Sequence, residues 1–139
     1  MSLLTIEKLS KNYLTKKKII CALNNINFSI DENEFISIVG PSGCGKSTIL
    51  SIIGGLENKS EGTIIFNSIN TKIGYMFQDD TLFEHLNVLD NCLIGLKIQK
   101  KENEESITYV KKLLSKYDLS SFEKSYPKEL SGGMRQRVA

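Results

Sequence analysis

"GPSGCGKST" occupies residues 40–48, and its reading decides the fold. Gly40, four free positions (Pro41, Ser42, Gly43, Cys44), then Gly45, Lys46 and Ser47 fit the phosphate-loop pattern without a mismatch. Each residue type has a physical reason. Glycines reach dihedrals closed to other residues and allow close backbone approach, so successive N–H groups can point at one anion. Lys46 brings positive charge to the β- and γ-phosphates, and the Ser47 hydroxyl suits Mg²⁺. A helix starting here adds its N-terminal dipole. Cys44 is a small filler, although a thiol near a helix N-terminus is open to activation.

The flanks agree with the loop. "FISIVG" (35–40) reads as a nearly continuous apolar strand, the sort buried on both faces of a parallel sheet. "KSTILSIIGGL" (46–56) reads as a helix with Ile49, Ile52, Ile53 and Leu56 on one face and Gly54-Gly55 as its stop. Upstream, "LLTIEKL" (3–9) and "IICALNNINFSI" (19–30) are β-like, and Leu23, Ile26, Phe28 and Ile30 include an alternating set. Downstream, "GTIIFN" (62–67) and "IGYMFQ" (73–78) are further strand candidates, joined by a short link that reads as a trimmed surface loop.

From Asp79 the character turns helical. "NVLDNCLIGLKI" (87–98) places Val88, Leu89, Cys92, Leu93 and Leu96 on one face behind Asn87 as N-cap. A second helix is expected from about Glu104 to Tyr117, with Ile107, Val110, Leu114 and Tyr117 as its apolar stripe. The expected organisation is a strand-rich nucleotide-binding core over 1–78 with a helical portion over 79–139.

Composition narrows the partners. Among 139 residues, 18 are Lys or Arg and 16 are Asp or Glu. This balance argues against a polyanion binder, and so against nucleic acid as a partner. The run Lys16-Lys17-Lys18 reads as a solvated hairpin tip. No stretch approaches the roughly 18 apolar residues that span a bilayer, and Glu7 and Lys8 interrupt any early signal-peptide core. Cys21, Cys44 and Cys92 form neither a disulfide framework nor a metal pattern, which suits a reducing cytosol.

A second anion-seeking feature closes the chain. In "LSGGMRQRVA" (130–139), Ser131 is a good N-cap, Gly132 and Gly133 expose backbone amides, and the rest continues as a helix. With these residues the sequence resembles the ATP-binding cassette (ABC) ATPases, whose signature motif this stretch matches. Gln78 matches that family's Q-loop glutamine, and Tyr13 lies where the family places an aromatic that stacks on adenine. The resemblance covers essentially the whole chain, and its detail is most similar to the ATPases of nitrate, sulfonate and taurine-type importers.

The resemblance implies an α/β P-loop NTPase fold with an N-terminal antiparallel β subdomain and a helical subdomain. It also implies roles. Tyr13 stacks on the base, Gly40 to Thr48 wrap the phosphates, and Lys46 acts in catalysis. Gln78 positions Mg²⁺ and the attacking water, and Ser131, Gly132 and Gly133 cap the γ-phosphate of a nucleotide held by an opposite subunit. ATP and Mg²⁺ are the implied cofactors. The implied partners are a second ATP-binding subunit in a head-to-tail dimer, transmembrane permease subunits and, indirectly, a solute-binding protein. The implied location is cytoplasmic, peripheral on the inner face of the membrane. His85 does not match the family's switch histidine and reads as a surface or helix-packing residue; Asp79-Asp80 reads as a polar loop rather than a metal site.

One departure matters. In the family, an apolar strand ending in Asp-Glu and the switch histidine follow the signature, and neither lies within these 139 residues. The resemblance therefore implies a chain incomplete on its C-terminal side and without turnover of its own. It also implies that "FISIVG" exposes apolar surface, which favours poor solubility. A non-transport ABC ATPase and a remnant that only binds nucleotide stay open as alternatives.

Overall fold

The structure is a computed structural model that describes residues 2–68 and 71–139. It divides into two compact units, Met1–Tyr75 and Met76–Ala139.

The first unit is built on a long hairpin. Strands β1 (Ser2–Leu14) and β2 (Ile19–Asp31) pair antiparallel, and β3 (Glu61–Phe66) joins the other side of β1, giving the order β2-β1-β3. Core positions on β1 change phase part-way. Leu4 and Ile6 are buried, Glu7 and Lys8 are exposed, and burial resumes at Leu9 and Lys11. The cause is a β-bulge: between the pairs Ile6↔Phe28 and Leu9↔Ile26, β1 spends one residue more than β2. Lys8 takes the left-handed conformation there (φ 51°), and its N–H is satisfied by the Asn27 Oδ1 at 2.8 Å. Gly62 lies against this bulge, and any side chain at that position would overlap the Lys8 carbonyl. Helix α1 (Lys46–Ile53) covers the sheet, with Ile49 and Ile52 sharing one core with Leu4, Ile6, Leu9 and Leu23.

Two sequence expectations fail here. Residues 35–40 and 73–78 form no strand, and Phe35 (93% exposed) and Val39 (88%) lie open. Apolar composition gives a segment the propensity for a strand, but the strand exists only when a neighbour completes its hydrogen-bond ladder. Among the described residues neither segment has such a neighbour. The exposed apolar surface expected at "FISIVG" is nevertheless present. Leu56, placed on the buried helix face by periodicity, lies past the end of α1 and is 54% exposed. The short link before Ile73 includes residues 69 and 70, which lie outside the described residues.

The second unit contains α2 (Val88–Ile98), α3 (Glu104–Lys116), two short 3₁₀ turns (Ser120–Phe122 and Pro127–Glu129) and α4 (Gly132–Val138). Val88, Leu93, Val110, Leu114, Leu119, Leu130 and Val138 form its core. Asn87 caps α2 by accepting from the Asp90 N–H at 2.8 Å, as its sequence position predicts. Asn103 and Ser106 form a reciprocal capping box on α3, which hydrophobic periodicity did not reveal. Tyr117, expected on the apolar stripe of α3, is 47% exposed at the helix C-cap.

Asn91 is the buried polar residue of this unit. Its Oδ1 accepts from the Phe83 N–H at 2.8 Å, while its Nδ2 lies within 3.1 Å of the carbonyls of Phe83, Leu86 and Asn87. It thereby ties the turn of residues 83–87 to α2. Asn91→Ala removes the partner of the Phe83 N–H and of the Leu86 carbonyl and is expected to lower unfolding stability by about 2–4 kcal/mol. Urea denaturation followed by circular dichroism checks this, and a loss below about 0.5 kcal/mol, the range of neutral surface changes, would show that the clamp is dispensable.

Candidate functional site

The loop of residues 40–45 reaches α1 through two left-handed glycines, Gly43 (φ 78°) and Gly45 (φ 94°). Gly45 is the N-cap position of α1. A Cβ there would lie 2.6 Å from both the Ala22 carbonyl oxygen and Leu23 Cδ2 on β2, so the loop meets the sheet backbone where only glycine fits. The helix start has no side-chain cap and no acidic residue in its first turn. The positive end of its dipole is therefore not offset by a neighbouring carboxylate on that turn.

Lys46 bends back over the loop. Its Nζ donates to the carbonyls of Gly40 (2.8 Å) and Pro41 (2.7 Å) and lies 3.6 Å from Cys44 Sγ. An ammonium carries three donors. Ser47 is exposed at the next position, and Ser42 lies in the turn of the loop. Beside them runs a groove of about 490 Å³ whose walls include Phe28, Ile30, Ile38 and Leu50 and whose polar side chains are Ser37, Lys46 and Ser47. Lys46 and Ser47 thus border a mainly apolar groove and adjoin backbone turned by two left-handed glycines.

Tyr13 lies in the same unit, half-buried near the end of β1. Its ring has a partner that sequence reasoning passed over. Lys11 Nζ sits 4.8 Å from the ring centroid and also donates to Glu57 Oε1 (2.7 Å) and the Asn58 carbonyl (2.6 Å). The signal was available in principle: residues two apart on a strand share a face.

Gln78 and the "LSGGMRQRVA" segment belong to the second unit. Gln78 is exposed, and its backbone carbonyl accepts from Gln136 Nε2 at 3.3 Å. Ser131 caps α4 by accepting from the Met134 N–H at 3.3 Å. Gly132 and Gly133 are exposed, with no atom closer than 4.0 Å to a Cβ built on either. Asp80 was expected to be an ordinary loop residue. It accepts instead from Arg135 Nε at 2.7 Å, and Arg135 also donates to the Leu130 carbonyl at 3.0 Å. The hydrogen bond from Arg135 holds the Asp80 carboxyl below the usual carboxylate range. His85 is exposed, its ring edge-on to Phe83 with centroids 5.8 Å apart. All three cysteines are free.

Residues 23–139 match the family described as ABC transporter. This chain belongs to that family. The ABC relatives include an uncharacterized ABC transporter ATP-binding protein, YtlC of Bacillus subtilis, 44% identical over all of this chain and 55% of its own length. The aliphatic sulfonates import ATP-binding protein SsuB of Bacillus cereus is 41% identical over 97% of this chain and 55% of its own. The sulfate/thiosulfate import ATP-binding protein CysA of Neisseria meningitidis is 40% identical over 98% of this chain and 40% of its own. Among solved structures, the dimeric ATP-binding cassette MJ0796 in a post-hydrolysis state, bound to ADP and Pi, superposes with a TM-score of 0.85. That match has 35% identity and covers 97% of this chain and 66% of the other. The fold is thus that of an ABC ATPase cassette, and the chain spans about half the length of the YtlC and SsuB relatives.

The two left-handed glycines of the loop differ in a testable way. Gly43→Ala meets nothing within 4 Å and carries only the backbone cost of its positive φ, about 1–2 kcal/mol. Gly45→Ala carries that cost and must also push β2 away, so a total loss of about 3–5 kcal/mol is expected. Chemical denaturation of the two variants side by side reads the difference; equal losses would mean that the approach of the loop to β2 is not a constraint.

Proposed function

We propose that this chain is the nucleotide-binding part of an importer subunit that binds ATP and, in the whole protein, hydrolyses it to drive solute uptake. The observation that carries the reading is the loop itself. An uncapped helix start, two left-handed glycines and the Lys46 ammonium come together within one short stretch of the first unit. The importer assignment draws on the names of SsuB and CysA, which are import ATP-binding proteins.

In this reading the backbone of Gly40, Pro41, Ser42, Gly43, Cys44, Gly45 and Thr48 surrounds the phosphates. Lys46 exchanges its two carbonyl partners for phosphate oxygens, which gain more from the charge than neutral carbonyls do. Mg²⁺ would be held by the Ser47 hydroxyl together with nucleotide oxygens, and it would supply charge neutralisation to the phosphates. Tyr13 offers its ring to the base. Gln78 orients water for attack.

Ser131, Gly132 and Gly133 face a nucleotide held by a second subunit. The open surface above the two glycines supports this role, as does the dimeric state of the MJ0796 cassette. Permease subunits anchor the pair at the inner membrane face. Among the described residues no helix is long and apolar enough to cross a membrane.

Lys46→Ala tests the proposal in the whole protein. ATP affinity is expected to fall roughly 10- to 100-fold, the scale of losing charge-assisted hydrogen bonds, with ATP-driven uptake abolished in reconstituted vesicles. Calorimetric ATP binding within threefold of the unsubstituted protein would overturn the assignment of the loop.

A further inference from the structure

We propose that Lys11 is a positioning residue for nucleotide binding, holding the Tyr13 ring in place and tying it to the helix that opens with the phosphate loop. The inference rests on the reading of Tyr13 as the base platform and goes beyond it by assigning what orients that platform.

Lys11 and Tyr13 follow Leu9 on the face of β1 that α1 covers. The lysine side chain is only 11% exposed. Burying an ammonium is unfavourable unless it is fully partnered, and here three partners surround it: the Glu57 carboxylate, the Asn58 carbonyl and the face of the Tyr13 ring. One face of the ring is thus taken by the cation, so a base can stack only on the other.

The far end of the contact leads to α1. Both the Leu56 and Glu57 N–H groups donate to the Ser51 carbonyl in α1, at 2.9 and 3.2 Å. Lys11 therefore links the ring to the residues that close the helix whose opposite end carries Lys46. A simple loop anchor is a poorer explanation of the buried charge. The stretch after Asn58 is already stitched to β1, by Ser60 Oγ accepting from the Asn12 N–H (2.9 Å) and the Ser60 N–H donating to the Ser10 carbonyl (2.9 Å). What the ammonium alone contributes is the contact under the ring.

The test compares two probes by titration calorimetry on the whole protein: ATP, and inorganic tripolyphosphate, which engages the phosphate loop but has no base. Tyr13→Ala should weaken ATP roughly tenfold, the scale of a lost base–aromatic stack, and leave tripolyphosphate unchanged. Lys11→Met, which fills the same space without charge, should weaken ATP about three- to tenfold. It should leave tripolyphosphate within twofold and add nothing in the Tyr13→Ala background; Lys11→Arg should restore most of the loss. Should Lys11→Met not fold, Glu57→Gln, which loosens the anchor and keeps the lysine, is expected to show the same selective loss to a smaller extent. Equal weakening of both probes, or of neither, in a folded Lys11→Met protein overturns the inference while leaving Tyr13 as platform. No effect of Tyr13→Ala on ATP overturns the platform reading itself, and the role of Lys11 with it.

Discussion

The contact of Gly45 with β2 is the constraint on which the first unit depends. Helix α1 has only eight residues, about 12 Å of length, and a helix so short has little stability of its own. Its start is fixed where the loop backbone touches Ala22 and Leu23, and its middle is fixed where Ile49 and Ile52 enter the sheet core. With both points set, the direction of the first-turn amides is set as well. The binding geometry of the loop is thus inherited from the hairpin, although the hairpin contributes none of the loop's donors.

What could be read from the sequence was local. The hairpin strands, α1, α2 and the Ser131 cap depend on residue types within a few positions of one another, and all were legible. The strands expected at 35–40 and 73–78 were not correct, because a strand is completed by a neighbour that no local pattern supplies. Lys11 is buried and paired with residues 46 and 47 positions away, and Asp80 with a residue 55 positions away. Such pairs have no periodic signature. The buried Asn91 was hidden for a similar reason: within an apolar helix face a single amide looks like an interruption until its turn is seen folded around it.

In the second unit α4 has seven residues and is likewise too short to stand on propensity. It is held by the Ser131 cap, by Val138 in the core and by Arg135, which grips both Asp80 and the Leu130 carbonyl. Because Gln136 also donates to the Gln78 carbonyl, the segment of Gln78 to Asp80 and the start of α4 form one hydrogen-bonded assembly. The exposed Ser131, Gly132 and Gly133 are therefore presented from a braced base rather than from a loose terminus.

The bulge at Glu7 and Lys8 has a consequence for the chain as a reading frame of faces. One inserted residue changes which parity of β1 points at the core: even numbers before it, odd numbers after it. Tyr13 and Lys11 share a face with the phosphate-loop helix only because that count is odd. Loss of a single residue between Ile6 and Leu9 would either erase the bulge and leave the Leu9↔Ile26 pairing and the later faces as they are, or keep the bulge, slide every later β1 side chain one step along its partner and turn Tyr13 to the opposite side. By absorbing the extra residue, the bulge lets Leu9, Lys11 and Tyr13 follow Leu4 and Ile6 onto one face of β1.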